Sequence, residues 1–95
     1  MIETVTFRLA AGTDESTFLD ADRRVQTEFI YREPGLLRRT TARDENGEWI
    51  VIVLWRSESD ADAAARLSEG DRPTAELVAL LDAATVQTRR YSTLD

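Results

Sequence analysis

Few residues in this chain have side chains and spacings suited to chemistry, and the most informative is an acid. A helix is predicted over residues 14–31. Its apolar stripe is Phe18, Ala21, Val25 and Phe29, flanked by Leu19 and Ile30. Asp22 falls inside that stripe, about 20° from Phe29 and about 40° from Phe18 on the helical wheel. A carboxylate there must face the sheet or a pocket. It could act as a general base towards an acidic C–H or a phenol. The structural alternatives are a buried ion pair with an arginine, or an outlet to solvent past the sheet edge. The next candidate is Arg38. If the second and third strands pair around Asn46-Gly47 without irregularity, Leu36, Arg38, Thr40 and Ala42 share a face with Trp55. Arg38 could then orient an anionic or enolate oxygen. The alternative is a strand-edge arginine paired with a surface acid, and a one-residue bulge inverts the assignment. Trp55 can stack on a flat aromatic ligand or serve as core, whereas Trp49, beside the hairpin, reads as structural. Tyr31 and Tyr91 are candidate hydrogen-bond donors, with surface tyrosines as the alternative. Phe7, Phe18, Val51 and Tyr91 complete the expected lining around Trp55.

The missing residue types exclude more than the present ones suggest. There is no cysteine, so disulfides, thiolate nucleophiles and Cys-ligated clusters are out. There is no histidine, which removes the usual base near neutral pH and the commonest metal and haem ligand. All twelve basic residues are arginine, so no lysine Schiff base can form. No EF-hand-like acidic loop is present. No metal site and no cofactor are expected. A net charge of −6 argues against nucleic acid, whose phosphates need a positive footprint. Arg89-Arg90 is too short a basic run to alter that and reads as a solvated strand edge.

The elements that must position these residues are legible in outline. Residues 2–9 alternate Val5, Phe7 and Leu9 with Thr4, Thr6 and Arg8, which predicts a strand. Thr13 or Asp14 can cap the following helix, which ends at Glu33-Pro34-Gly35. Residues 36–43 form a second strand, Asp44-Glu45-Asn46-Gly47 a hairpin turn, and residues 48–56 a third strand. A second helix, with a mostly alanine apolar face, covers residues 57–67. A short helix follows over residues 73–82, and a last strand over residues 85–93. The order βαββαβ predicts a single α+β domain over residues 1–95, a ferredoxin-like antiparallel sheet with helices on one face.

The third strand is apolar at nearly every position, Trp49-Ile50-Val51-Ile52-Val53-Leu54-Trp55. With Trp49, Val51, Val53 and Trp55 towards the helices, Ile50, Ile52 and Leu54 face away. A second copy of the chain is the simplest cover for them, so a homodimer is expected. No apolar run is long enough to cross a bilayer. Met1-Ile2-Glu3-Thr4 lacks the basic start and long apolar stretch of a signal peptide. A cytoplasmic protein without membrane contact is therefore expected.

With Pro34-Gly35 before the second strand and Trp55-Arg56-Ser57-Glu58 closing the third, the whole chain resembles the dimeric α+β barrel superfamily. Within it, the antibiotic biosynthesis monooxygenase-like domains are the nearest branch. The resemblance implies two sheets packed face to face, with a small-molecule pocket in each subunit between sheet and helices. It also implies cofactor-independent oxygenases of polycyclic aromatic polyketides, and haem-degrading enzymes, as relatives. Trp55 matches the tryptophan of the oxygenases, but Val51 stands where they carry asparagine. The haem degraders place an asparagine where this chain has Val5, and they need a histidine that it lacks. Two functions are left in competition. One is a cofactor-independent oxygenase, or a related cyclase or isomerase, on a small aromatic or polyketide-like substrate. The other is a non-catalytic dimeric module that binds a small hydrophobic molecule.

Overall fold

Capping oxygens and glycines divide the chain into its elements. The computed structural model describes residues 1–95. Strand β1 is Ile2–Phe7, and helix α1 is Glu15–Glu28. Asp14 starts α1 by accepting a hydrogen bond from the Thr17 N–H at 2.8 Å, which satisfies one of the free donors of the first turn. The helix is shorter than its apolar stripe predicts: it stops at Glu28, and a 3-10 turn over Ile30–Arg32 leads to Pro34. Strands β2 (Leu36–Arg43) and β3 (Trp49–Trp55) form the expected hairpin. Helix α2 is Glu58–Ser68, capped by Ser57, whose hydroxyl oxygen accepts from the Asp60 N–H. Helix α3, Arg72–Val78, is shorter than expected, and strand β4 is Gln87–Tyr91. Leu9, expected to end β1, makes only an isolated bridge to Leu81.

The sheet order is β2-β3-β1-β4, with every neighbouring pair antiparallel. This is the ferredoxin-like α+β arrangement that the element order predicted. Along β3, Trp49, Val51, Val53 and Trp55 are buried on the inner face under the helices, while Ile50, Ile52 and Leu54 look outward. Phe18 of α1 is fully buried between Phe7 and Trp49, with ring centroids 5.5 and 4.7 Å away. These tilted aromatic contacts fix α1 to the sheet.

One irregularity re-aims a strand. The β2–β3 register shifts between Leu36 and Arg38: Leu36 pairs with Trp55, Arg38 with Leu54 and Arg39 with Val53. One extra residue on β2 reverses which side chains point inward from there on. Arg39, Thr41 and Arg43 therefore share the inner face with Val53, Val51 and Trp49. Arg38, Thr40 and Ala42 lie on the outer face, the reverse of the bulge-free expectation.

Candidate functional site

Between the inner sheet face and the helices lies a cavity of about 350 Å³. Its floor is Val5, Phe7, Val51, Val53 and Trp55. Its walls include Ala61, Ala64 and Ala65 of α2, Leu77 and Val78 of α3, and Val25 of α1. The cavity exists because α2 presents alanine where a packed helix would present leucine. Methyl groups opposite a bulky sheet leave the layer between them unfilled. Of the 19 lining residues 14 are hydrophobic, so the space suits a mainly apolar molecule. No helix of the chain is long and apolar enough to cross a membrane.

Trp55 is the most informative part of the floor. It is 2% exposed, and its Nε1–H finds no acceptor in the chain. Leaving a buried donor unpaired costs about 1–3 kcal/mol; the nitrogen is sealed within the packing, and other parts of the Trp55 side chain meet the cavity. The hairpin register, the Ser57 cap and the close approach of Asp60 to Gly35 hold this end of β3 in place.

At the β2 side of the cavity sits a buried ion pair. Arg39 Nη2 donates to Asp22 Oδ1 at 2.6 Å, and Arg39 Nη1 donates to Gln26 Oε1 at 3.1 Å. Thr41 Oγ1 donates to the second Asp22 oxygen at 2.8 Å. Both partners are more than nine-tenths buried. Asp22 thus occupies the buried stripe that its wheel position predicted, but its carboxylate serves Arg39 and Thr41 and does not line the cavity. The arginine partner came from β2, and the bulge selected Arg39 for it. Arg38, the arginine expected at the site, is exposed on the other face of the sheet because of the same bulge.

The remaining candidates divide in the same way. Phe7, Val51 and Trp55 line the cavity. Phe18 does not, because it is sealed between Phe7 and Trp49. Tyr91 lies opposite Ile2 on the outer face, about half exposed, so β4 alternation takes it out of the site. Tyr31 is exposed in the 3-10 turn. Trp49 is core, with the Arg43 guanidinium 5.6 Å from its ring centroid. Alternation also separates Arg89, on the outer face, from Arg90, on the inner face. Arg90 is no mere solvated edge. It donates to Glu3 at 2.9 Å and to Asp62 at 2.6 Å, tying β4 to β1 and α2. The Asp62 and Glu3 hydrogen bonds raise its already high pKa. The signal missed in the sequence was the alanine face of α2: read as weak packing, it is what forms the cavity.

No protein-family model and no curated protein sequence matches this chain. Solved structures share its fold. SnoaB, a cofactor-independent oxygenase from Streptomyces nogalater, superposes with a TM-score of 0.77 at 19% identity, over 99% of this chain and 92% of its own. A protein described as an antibiotic biosynthesis monooxygenase gives 0.72 at 14% identity, over the full length of both chains. A Mycobacterium tuberculosis protein gives 0.71 at 16% identity, over 99% of this chain and 94% of its own. At these identities the likeness is one of fold.

Proposed function

We propose, from a chain with the fold of the antibiotic biosynthesis monooxygenase domains, that the cavity holds a small aromatic or polyketide-like substrate and supports cofactor-independent oxygenation of it. The observation that carries the reading is the apolar cavity of about 350 Å³ with the Trp55 side chain in its floor. An aromatic ligand would stack or pack on the Trp55 ring. Loss of a proton from an activated methylene leaves a resonance-stabilised carbanion. That carbanion reduces dioxygen directly. One oxygen atom stays on the carbon as a carbonyl, and the other leaves as water with the two hydrogens removed from the methylene. Glu3, the one carboxylate in the lining, would be the proton acceptor in place of Asp22, through Oε1, since Arg90 holds Oε2.

A second reading, a binding module without turnover, is favoured by a specific residue: Val51 brings no polar atom to the floor beside Trp55. Oxygen uptake with a polycyclic aromatic ketone carrying an acidic methylene separates the two. Uptake stoichiometric with product, in the absence of added metal or flavin, supports the oxygenase. Saturable binding of that ketone without uptake selects the binding module. Failure to bind any aromatic probe would remove both.

A further inference from the structure

The free hydrogen-bonding groups of the cavity lie together on its β1–β4 side. Elsewhere in the lining they are committed. Ser68 Oγ donates to Ala65 O at 2.7 Å, Thr74 Oγ1 donates to Asp71 Oδ2 at 2.6 Å, and the Arg39 guanidinium is held by Asp22 and Gln26. Glu3 differs. Its Oε2 accepts from Arg90 Nε at 2.9 Å, whereas Oε1 makes no hydrogen bond in the chain. Among residues that are not exposed, only the Trp55 nitrogen is both unpartnered and sealed off, so Glu3 Oε1 is open to contact. Thr88 also lines the cavity, exposed, with its hydroxyl unbonded within the chain. With Ala65 and Val78, the other exposed lining residues, it marks the mouth. Glu3 pairs with Arg90 and Val5 with Thr88, so Glu3 and Thr88 are diagonal neighbours on the inner face. Their backbones are thus about 7–8 Å apart, a gap that a long side chain reaches across. The surroundings are negative. Arg90 also donates to Asp62 at 2.6 Å and lies 3.6 Å from Glu58, so three carboxylates share one guanidinium, and Arg90 itself is not in the lining.

We propose that Glu3 and Thr88 are the specificity-determining residues of this cavity: a ring-bearing ligand enters apolar end first and leaves an uncharged hydrogen-bond donor, an alcohol, phenol or amine, on the β1–β4 side, while anions are rejected. An ionised carboxylate only accepts hydrogen bonds, so the ligand must supply the hydrogen. Thr88 completes the arrangement, because its hydroxyl can donate to the same ligand atom that donates to Glu3. A ligand without a donor would take Glu3 Oε1 from water and give nothing in exchange. Arg90 is a positioning residue, whose bond to Oε2 fixes the Glu3 carboxylate. An anion at the same place meets the excess of negative charge from Glu3, Asp62 and Glu58. The inference rests on reading the cavity as the ligand site and holds whether or not the ligand is turned over.

The test is calorimetric titration of the whole chain at neutral pH with three probes. These are 2-naphthol, 2-fluoronaphthalene (nearly the same shape, no donor) and 2-naphthoate. The unmodified protein should prefer 2-naphthol to 2-fluoronaphthalene and bind 2-naphthoate most weakly. Glu3→Gln leaves a carbonyl for Arg90 and turns the free oxygen into an amide N–H group. The preference for 2-naphthol should then fall about tenfold, the loss of one hydrogen bond to a charged acceptor, and 2-naphthoate should bind more tightly than before. Thr88→Val keeps the β-branched shape on an exposed strand and should lower the preference about threefold. Cooperative thermal melts check that both variants fold; if Glu3→Gln does not, Thr88→Val and the 2-naphthoate titration carry the test. No preference in the unmodified protein, a preference unchanged in either folded variant, or 2-naphthoate binding as tightly as 2-naphthol overturns the inference and leaves the cavity reading intact. Binding of no probe removes the cavity reading and the inference with it. The expected selectivity without oxygen uptake keeps the inference and removes oxygenation alone.

Discussion

Removing the Asp22 carboxylate alone should damage the protein more than any other single-atom-group change at its surface or site. Arg39 would remain buried without its counter-ion, and breaking one side of a buried pair costs about 3–5 kcal/mol. Asp22→Ala should therefore lower the urea midpoint sharply, with the slope unchanged if unfolding stays two-state. A variant within about 0.5 kcal/mol of the parent would show that the pair does not hold α1 to β2. At this scale the sequence exposed the anomaly and not its solution. The 100° period of a helix places Asp22 in the stripe whatever lies opposite. The identity of its partner depends on strand register, and a single extra residue in β2 exchanges Arg38 for Arg39.

Two elements carry predictions of their own. The first is the junction where Gly35 meets α2. Gly35 has φ +84, and a Cβ there would run into the Asp60 carboxylate. Gly35→Ala should thus cost about 1–3 kcal/mol, since both the left-handed backbone and the close approach oppose it. The Asp60 Cβ is also in the way, so the contact part is removed by Asp60→Gly: measured against the Asp60→Gly single variant, Gly35→Ala should still cost stability, and no remaining cost in thermal melts would refute the backbone contribution. Both motifs quoted for the family resemblance converge here, as the Arg56 N–H donates to Gly35 O at 2.8 Å. The second element is α2, whose alanines make the cavity. Ala64, 4% exposed, lines it. Ala64→Leu should fill the space with no loss of stability and should abolish binding of an aromatic probe. A destabilisation of about 1–3 kcal/mol would instead mean there was no room for it.

At the scale of the whole molecule the core is thin. Only 14 of 95 residues are buried, and Ile52 stands 36% exposed on the bare sheet face beside Ile50 and Leu54. We expect the chain to be a homodimer that covers this face, each buried aliphatic side chain contributing about 1.5–3 kcal/mol. Sedimentation should report a dimer at micromolar concentration, and Ile52→Glu should yield monomer or aggregate. A well-folded monomer for the unmodified chain would end this expectation.

By itself the sequence determined the order of elements, the hairpin turn, the two faces of β3, the apolar stripe of α1 with Asp22 in it, and the placing of Phe7, Val51 and Trp55. All of these follow from local rules: side-chain period, capping oxygens and glycine conformations. Only the tertiary structure decided which arginine turned inward, that Phe18 was core and not lining, that Tyr91 faced out, and that α1 and α3 stopped short of their apolar patterns. It also decided that an alanine-faced helix would leave a cavity. Each of these depends on what lies opposite a residue across the sheet or the layer. A register shift of one position, or a missing methylene on a facing helix, leaves no mark in the local pattern that would reveal it.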